Sequence, residues 1–348
     1  VTSHRIFIEK EERMKRVLLV IVVLLCAVSL FAEGSKEQGG AASKTQQIVL
    51  RLAETHPAGY PTTEGDMEFA RLVEERTNGR IRVEVYPSSQ LGEERAAIEQ
   101  VQFGAIDFTR VSVSPLASFS RNFDALQMPY LYRDADHMWK VLNGEIGQEF
   151  LDSLAPANFV GLTFYDGGSR NFYNSRREVR SVADLRGLKI RVQESELMLG
   201  LVRSLGATPT PMAFGEVYSA LQTGVIDGAE NNWSSYLSTS HYEVAKYFIV
   251  DQHTRVPEIL IASKIVMDRL SPEDQAIIKQ AAKDSTPFQI ELWNKAEAEA
   301  EAAVIAGGAQ IYRPTPAQIQ EFMNAVQPMY ERLTPQLQEV VRRIRAVR

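Results

Sequence analysis

The chain has 348 residues, 45% hydrophobic and 24% charged, with a formal charge of −6 and a single cysteine. That is enough chain for two domains, each with its own core. The negative balance, with no basic run interleaved with aromatics, argues against nucleic acid.

The chain starts with a segment outside the fold. Met14-Lys15-Arg16 precedes "VLLVIVVLLCAVSLFA", a charged n-region followed by 16 apolar residues, Val17 to Ala32. This pattern predicts a secretory signal peptide over residues 1–32. The apolar run is short for a membrane span, which needs about 20 residues. Residues 1–13 lie upstream of a good start at Met14, so the start codon is expected to be mis-assigned. Cys26, the only cysteine, lies inside the apolar run. It is a candidate lipid-anchor site, although Leu25 stands before it where a small residue is wanted; cleavage after Ala32 competes. Cleavage there removes five basic and three acidic side chains and takes the charge from −6 to −8. It also leaves no cysteine for disulfides, thiol catalysis or metal ligation. "EGSKEQGGAASKTQQ" then reads as a flexible leader over 33–46.

From Ile48 the pattern is α/β. "IVLRLAE" predicts a strand, and Pro61 to Thr77 a helix stopped by Asn78-Gly79. "RIRVEVYP" predicts a strand with Ile81, Val83 and Val85 on one face. "GEERAAIEQVQFG" reads as a helix and "AIDFTRVSVS" as a strand. Strand–helix–strand order with short loops predicts parallel pairing. An echo follows: "VQFGAID" at 101–107 returns 120 residues later as "LQTGVID" at 221–227. Each stretch follows a helix and turns on glycine into an apolar strand, which predicts two similar α/β domains. In the tail, Ser271-Pro272-Glu273-Asp274 is a helix start. The pattern holds to about Ala306, a helix of roughly 50 Å at 1.5 Å per residue, long enough to lie along both domains. A further helix is predicted over Pro316 to Leu333.

No GxSxG, HExxH or P-loop motif is present, and the five histidines form no i,i+4 pair. Neither a metal nor a cofactor is therefore expected. The positive signal is polar side chains where strands end, the place where open α/β sheets bind ligands. "FTRVS" offers Arg110. "FYDGGSRNFYN" offers Arg170. "KIRVQES" offers Arg191, Gln193 and Glu194. "VIDGAENNW" offers Glu230, Asn231 and Trp233. A lone arginine is ordinarily a solvated surface charge. Several converging on one cleft repel unless an anion joins them, and the guanidinium fork matches a carboxylate.

"DLRGLKIRV…LGATPTPMAFGEVYSALQTGVIDGAEN" resembles the solute-binding proteins of TRAP (tripartite ATP-independent periplasmic) transporters, DctP family. "TNGRIRVEVYPSSQLGEERAAIEQVQFGAIDFT" and "PYLYRDADHMWKVLNG" support it, over residues 50–340. The resemblance implies a periplasmic-binding-protein-like fold: two similar α/β domains around a ligand cleft, joined by crossing strands, with the long C-terminal helix spanning both. The expected division is 47–167 plus 257–296 for domain I and 168–256 plus 297–348 for domain II. It implies a periplasmic protein, not an enzyme, that closes on an organic acid and delivers it to membrane permease subunits. By the same resemblance Arg191 grips the ligand carboxylate, Arg170 is its second arginine, Asn231 joins them and Phe214 packs on the ligand.

In the sialic-acid branch an acidic residue follows "DFT"; here "TRVSVSP" stands instead. His56 in "AETHPAGYPT", Arg110, "HMWKVL", "ENNW" and "DQHTRVPE" look like the hexuronate branch, which binds acids such as D-glucuronate or D-galacturonate. On that reading His56, Glu93, Arg110, Asn231 and His253 would pair with sugar hydroxyls, and Trp233 or Phe214 would cover an apolar sugar face. The competing readings are packed structural histidines, a Glu93 that only complements a helix dipole, and a "HMWK" that packs in a core. Other ligands weighed are a C4-dicarboxylate or another hydroxy or oxo acid. Outside the class stands a secreted carbohydrate-acid hydrolase or lyase.

Overall fold

The computed structural model describes residues 47–348. The signal peptide, the leader and Cys26 lie outside the described residues. Among the described residues no helix is long and apolar enough to cross a membrane.

The strands in chain order are β1 (Ile48–Ala53), β2 (Ile81–Tyr86), β3 (Phe108–Ser112), β4 (Phe159–Tyr165), β5 (Ser169–Asn174), β6 (Lys189–Val192), β7 (Thr208–Pro211), β8 (Gly228–Asn231), β9 (Tyr247–Ile249), β10 (Thr254–Arg255), β11 (Glu258–Ser263) and β12 (Gln310–Tyr312). They form two sheets. The first has the order β2-β1-β3-β11-β4; the second has β12-β9-β5-β8-β6-β7, with β10 paired to β5. The chain crosses from the first sheet to the second between β4 and β5. It returns between β10 and β11, and goes over again through the long helix Pro272–Ala306.

The predicted parallel pairing holds for β1 with β2 and β3, and for β6 with β7 and β8. It fails at the crossings, where β11 runs antiparallel to β3 and β4, and β5 antiparallel to β8 and β9. A strand that returns from the other sheet carries no helical crossover to enforce a parallel direction. "AIDFTRVSVS" also yields less strand than expected: β3 stops at Ser112, whose hydroxyl caps a short helix from Val113.

The sequence echo is a structural one. Gly104 and Gly224 both turn at φ +73°, a left-handed conformation that suits glycine. After each turn an aspartate fastens the new strand to its parallel neighbour. Arg51 N–H donates to Asp107 Oδ2 at 2.6 Å, and Lys189 N–H to Asp227 Oδ2 at 2.9 Å. Each basic side chain then reaches back to a turn carbonyl, Arg51 to Ala105 and Lys189 to Gly224. The same Gly-to-Asp device is therefore built once in each sheet.

The long helix begins as predicted, with Ser271 capping and Pro272 first, and packs against helix Pro61–Arg76 and helix Trp233–Ser238. It is bonded to the end of β4 and to the helix that follows β8. Ser285 meets the Tyr165 hydroxyl at 2.6 Å. The Gln289 amide pairs with both backbone groups of Asp166, at 2.8 and 3.0 Å. Glu297 accepts from Ser234 N–H at 2.9 Å. The "HMWK" stretch packs as expected: His137 and Met138 are buried, and Trp139 donates to Asp166 at 2.9 Å.

Candidate ligand-binding site

Between the sheets lies a narrow polar hollow. It is lined by Thr55, His56, Glu94 and Glu258 from the first sheet's elements, and by Arg170, Arg191, Gln193, Phe214, Asn231, Asn232 and Ser235 from the second's. Contacts across it hold it shut: the Tyr60 hydroxyl meets Ser235 Oγ at 2.8 Å, and the His56 ring meets Phe214 edge-on at 5.0 Å.

Arg191 sits on β6, flanked by β7 and β8, and is 3% exposed. Its Nε and Nη2 donate to one acceptor, the Met212 carbonyl, at 3.0 and 2.7 Å. Among the described residues it meets no carboxylate at ion-pair distance, and Nη1 has no hydrogen-bond partner. Burial pulls the guanidinium pKa down; Glu230 opposes this and neighbouring Arg170 adds to it. The result is a buried cation with no ion-pair partner among the described residues.

Arg170 on β5 is differently placed. Its Nε and Nη2 donate to the Glu230 carboxylate, and Nη1 donates to Asn231 Oδ1 at 3.0 Å. Burial favours a neutral Glu230, but Arg170 and then His253 outweigh it and hold the carboxyl at about 2. Asn231 Oδ1 is spent on Arg170 and on the Asn232 N–H. Its Nδ2 makes no hydrogen bond to the described residues and is open to a ligand oxygen. Gln193 Oε1 and His56 Nδ1 are buried and have no hydrogen-bond partner among the described residues. Burial, with Arg110 next, lowers the His56 pKa to about 3, so the ring is neutral. It stacks on Tyr60 at 3.8 Å.

Other expected site residues lie elsewhere. Arg110 does not line the hollow. It is fully buried and donates to Glu54, to Glu258 at 2.7 Å and to Glu94 at 3.3 Å. Trp233 stacks on Phe248 at 4.0 Å within the apolar core. His253 is buried behind Glu230, stacked on Phe172, with Nδ1 2.9 Å from Asp251 and Nε2 3.5 Å from Glu230. Glu93 and Glu194 line a small adjoining hollow that shares Arg191, Gln193 and Phe214.

Sequence reasoning passed over five lining residues: Thr55, Asn232, Ser235 and the two acids Glu94 and Glu258. Glu93 is the N-cap of helix Glu94–Gln102 and Glu94 its first residue, so a one-residue step decides which acid turns inward. Glu258 opens β11 opposite Ser112 of β3, a pairing with no local signal. Among the described residues no group of His, Cys, Asp and Glu is placed to hold a metal.

His253 supplies a pH prediction. Burial opposes its charge, but Asp251 and Glu230 outweigh burial and raise its pKa to about 9. With a folded value above the ordinary 6.5, its stabilisation is complete below pH 6.5 and lost as pH rises through 9, a change of order 3 kcal/mol. The unliganded protein should melt at lower temperature at pH 9.5 than at pH 6.5, and His253→Gln should flatten that slope. A wild-type melting temperature that is level or rising across this interval contradicts the assignment.

The two sheets, the crossing strands and the polar hollow between them define a solute-binding protein. Residues 52–336 match the family described as bacterial extracellular solute-binding protein, family 7 (DctP), and the chain belongs to it. A TRAP periplasmic solute-binding protein from Bradyrhizobium sp., solved in complex with α/β-D-galacturonate, is 45% identical with a TM-score of 0.83, covering 85% of this chain and 99% of its own. One from Pseudomonas putida, solved with bound D-glucuronate, is 37% identical with a TM-score of 0.84, covering 86% of this chain and 98% of its own. A solute-binding protein of Chromohalobacter salexigens is 36% identical over 289 residues, 82% of this chain and 85% of its own. Proteins of this family bind solutes for transport.

Proposed function

We propose that this protein captures a hexuronate, D-galacturonate or D-glucuronate, in the periplasm and hands it to the membrane subunits of a TRAP transporter. The observation that carries the reading is Arg191, buried beside Arg170 with no carboxylate at ion-pair distance among the described residues. The ligand carboxylate supplies that charge, with the open amide of Asn231 as a further donor. Hydroxyls of the ring pair with His56, Gln193 and the carboxylates of the opposite wall, and Phe214 covers an apolar ring face. The ligands of the Bradyrhizobium and Pseudomonas proteins support the choice of acid.

Closure follows from electrostatics. In an open form the arginines are hydrated; closing the lobes, taken as 47–167 plus 257–296 against 168–256 plus 297–348, strips that water. An anion offsets the loss, so the ligand binds the closed state better and shifts the population toward it. A hundredfold preference corresponds to about 2.7 kcal/mol.

The test is a thermal-shift screen followed by calorimetry with D-galacturonate, D-glucuronate, succinate and N-acetylneuraminate. A uronate at a hundred times its Kd should stabilise the fold by about 2.7 kcal/mol, with 1:1 stoichiometry and no turnover overnight. Succinate as the preferred ligand would move the reading to C4-dicarboxylates. Consumption of the uronate would make the protein a hydrolase or lyase.

A further inference from the structure

The hollow has two chemically different walls. Elements of the second sheet bring the cations, Arg170 and Arg191. Elements of the first sheet bring two carboxylates, Glu94 and Glu258. Both acids are tethered from behind by Arg110. Its Nη1 donates to Glu258 Oε2 at 2.7 Å and to Glu94 Oε1 at 3.3 Å, and the Ser112 N–H donates to Glu94 Oε1 at 2.8 Å. The second oxygens, Glu94 Oε2 and Glu258 Oε1, accept no hydrogen bond from the described residues.

Arg110 has little left to offer a ligand. Its Nε and Nη2 are engaged by Glu54, so one guanidinium serves three carboxylates. The shortfall shows in the acids facing the hollow. Burial pushes Glu258 up to about 7 and also raises Glu94, in each case against the pull of Arg110. Asp66, behind Glu54, is buried, and burial and the adjacent Glu54 raise its pKa well above the ordinary carboxylate value. This side of the hollow holds more carboxyl groups than its one guanidinium can neutralise.

A sugar hydroxyl can donate to the open oxygens of Glu94 and Glu258. A second ligand carboxylate brings only acceptors, and like charges in a poorly solvated site repel. We propose that Glu94 and Glu258, steadied by Arg110, are specificity-determining residues that admit a polyhydroxylated monocarboxylate and exclude dicarboxylates, the sugar diacids included. The inference rests on the reading of Arg191 as the carboxylate grip, and it narrows the ligand class at the opposite end of the same hollow.

Galactonate and galactarate make the comparison, because they differ only in that a terminal hydroxymethyl becomes a carboxylate. Each is titrated directly, and in competition with D-galacturonate, at pH 8. Wild type should bind galactonate at least tenfold tighter than galactarate. Glu258→Gln and Glu94→Gln should each narrow that ratio fivefold or more. Glutamine keeps a carbonyl acceptor for Arg110, and melting curves confirm that each variant is folded. Galactarate bound as tightly as galactonate by wild type, or a ratio unmoved in both variants, overturns the proposal. If wild type binds neither open-chain acid, measurable galactarate binding gained in either variant supports it and no gain overturns it. D-Galacturonate separates the two readings. If it binds while galactarate binds equally well, the filter alone is wrong; if no uronate binds, the proposed function itself is wrong.

Discussion

Arg191→Ala should cost about 3 kcal/mol or more of uronate affinity, a hundredfold or greater rise in Kd, while the unliganded protein melts at or above the wild-type temperature. The two effects have opposite signs for one reason. Arg191 is buried, it adjoins Arg170, and among the described residues its one acceptor is the Met212 carbonyl. Without ligand it is an uncompensated charge, so its removal relieves the fold. In the proposed complex it is the uncommitted partner of the carboxylate. Arg191→Lys should also bind weakly, because an ammonium cannot keep the Met212 contacts and present a two-point fork together. Calorimetry gives the affinity and differential scanning calorimetry the stability. Affinity within threefold of wild type in Arg191→Ala would remove the carboxylate clamp.

Arg110→Met should do the reverse, damaging the fold before it affects recognition. Glu54, Glu94 and Glu258 converge on Arg110, and without it three buried carboxylates face one another. Breaking a buried ion pair from one side costs about 3–5 kcal/mol, a fall in melting temperature of roughly 10 °C at pH 8. The three acids, raised by mutual repulsion in the variant, would take up protons as pH falls, so the deficit should shrink at pH 5. A variant that melts within 2 °C of wild type at pH 8 would show that the cluster is not held by this cation.

Arg110 and Arg191 also show what was and was not legible. Both are arginines late in a strand of an α/β repeat, and local sequence treats them alike. Their roles separate only when strands pair. Pairing of β3 with β11 brings Glu258 beside Ser112, and β1 ends one residue before Glu54; Arg110 is thereby neutralised. β6 pairs with β7 and β8, and neither places a carboxylate in ion-pair contact with Arg191. Arg170 lies between these cases: it reaches the hollow, as the motif reading required, but already holds Glu230. His253 and Trp233, chosen for their chemistry, were drawn into the interior by Asp251 and Phe248.

Periodicity, caps and glycine turns were enough to determine four of the helices, the α/β class, the doubled Gly-to-Asp device and the length of the spanning helix, because each depends on residues within a turn or two of one another. Which arginine is left without a counter-ion, and which glutamate faces the hollow, was decided by contacts between segments up to about 150 residues apart. Charge neutralisation in a buried site is a property of the whole set of groups assembled there, and that set exists only once the two sheets have come together.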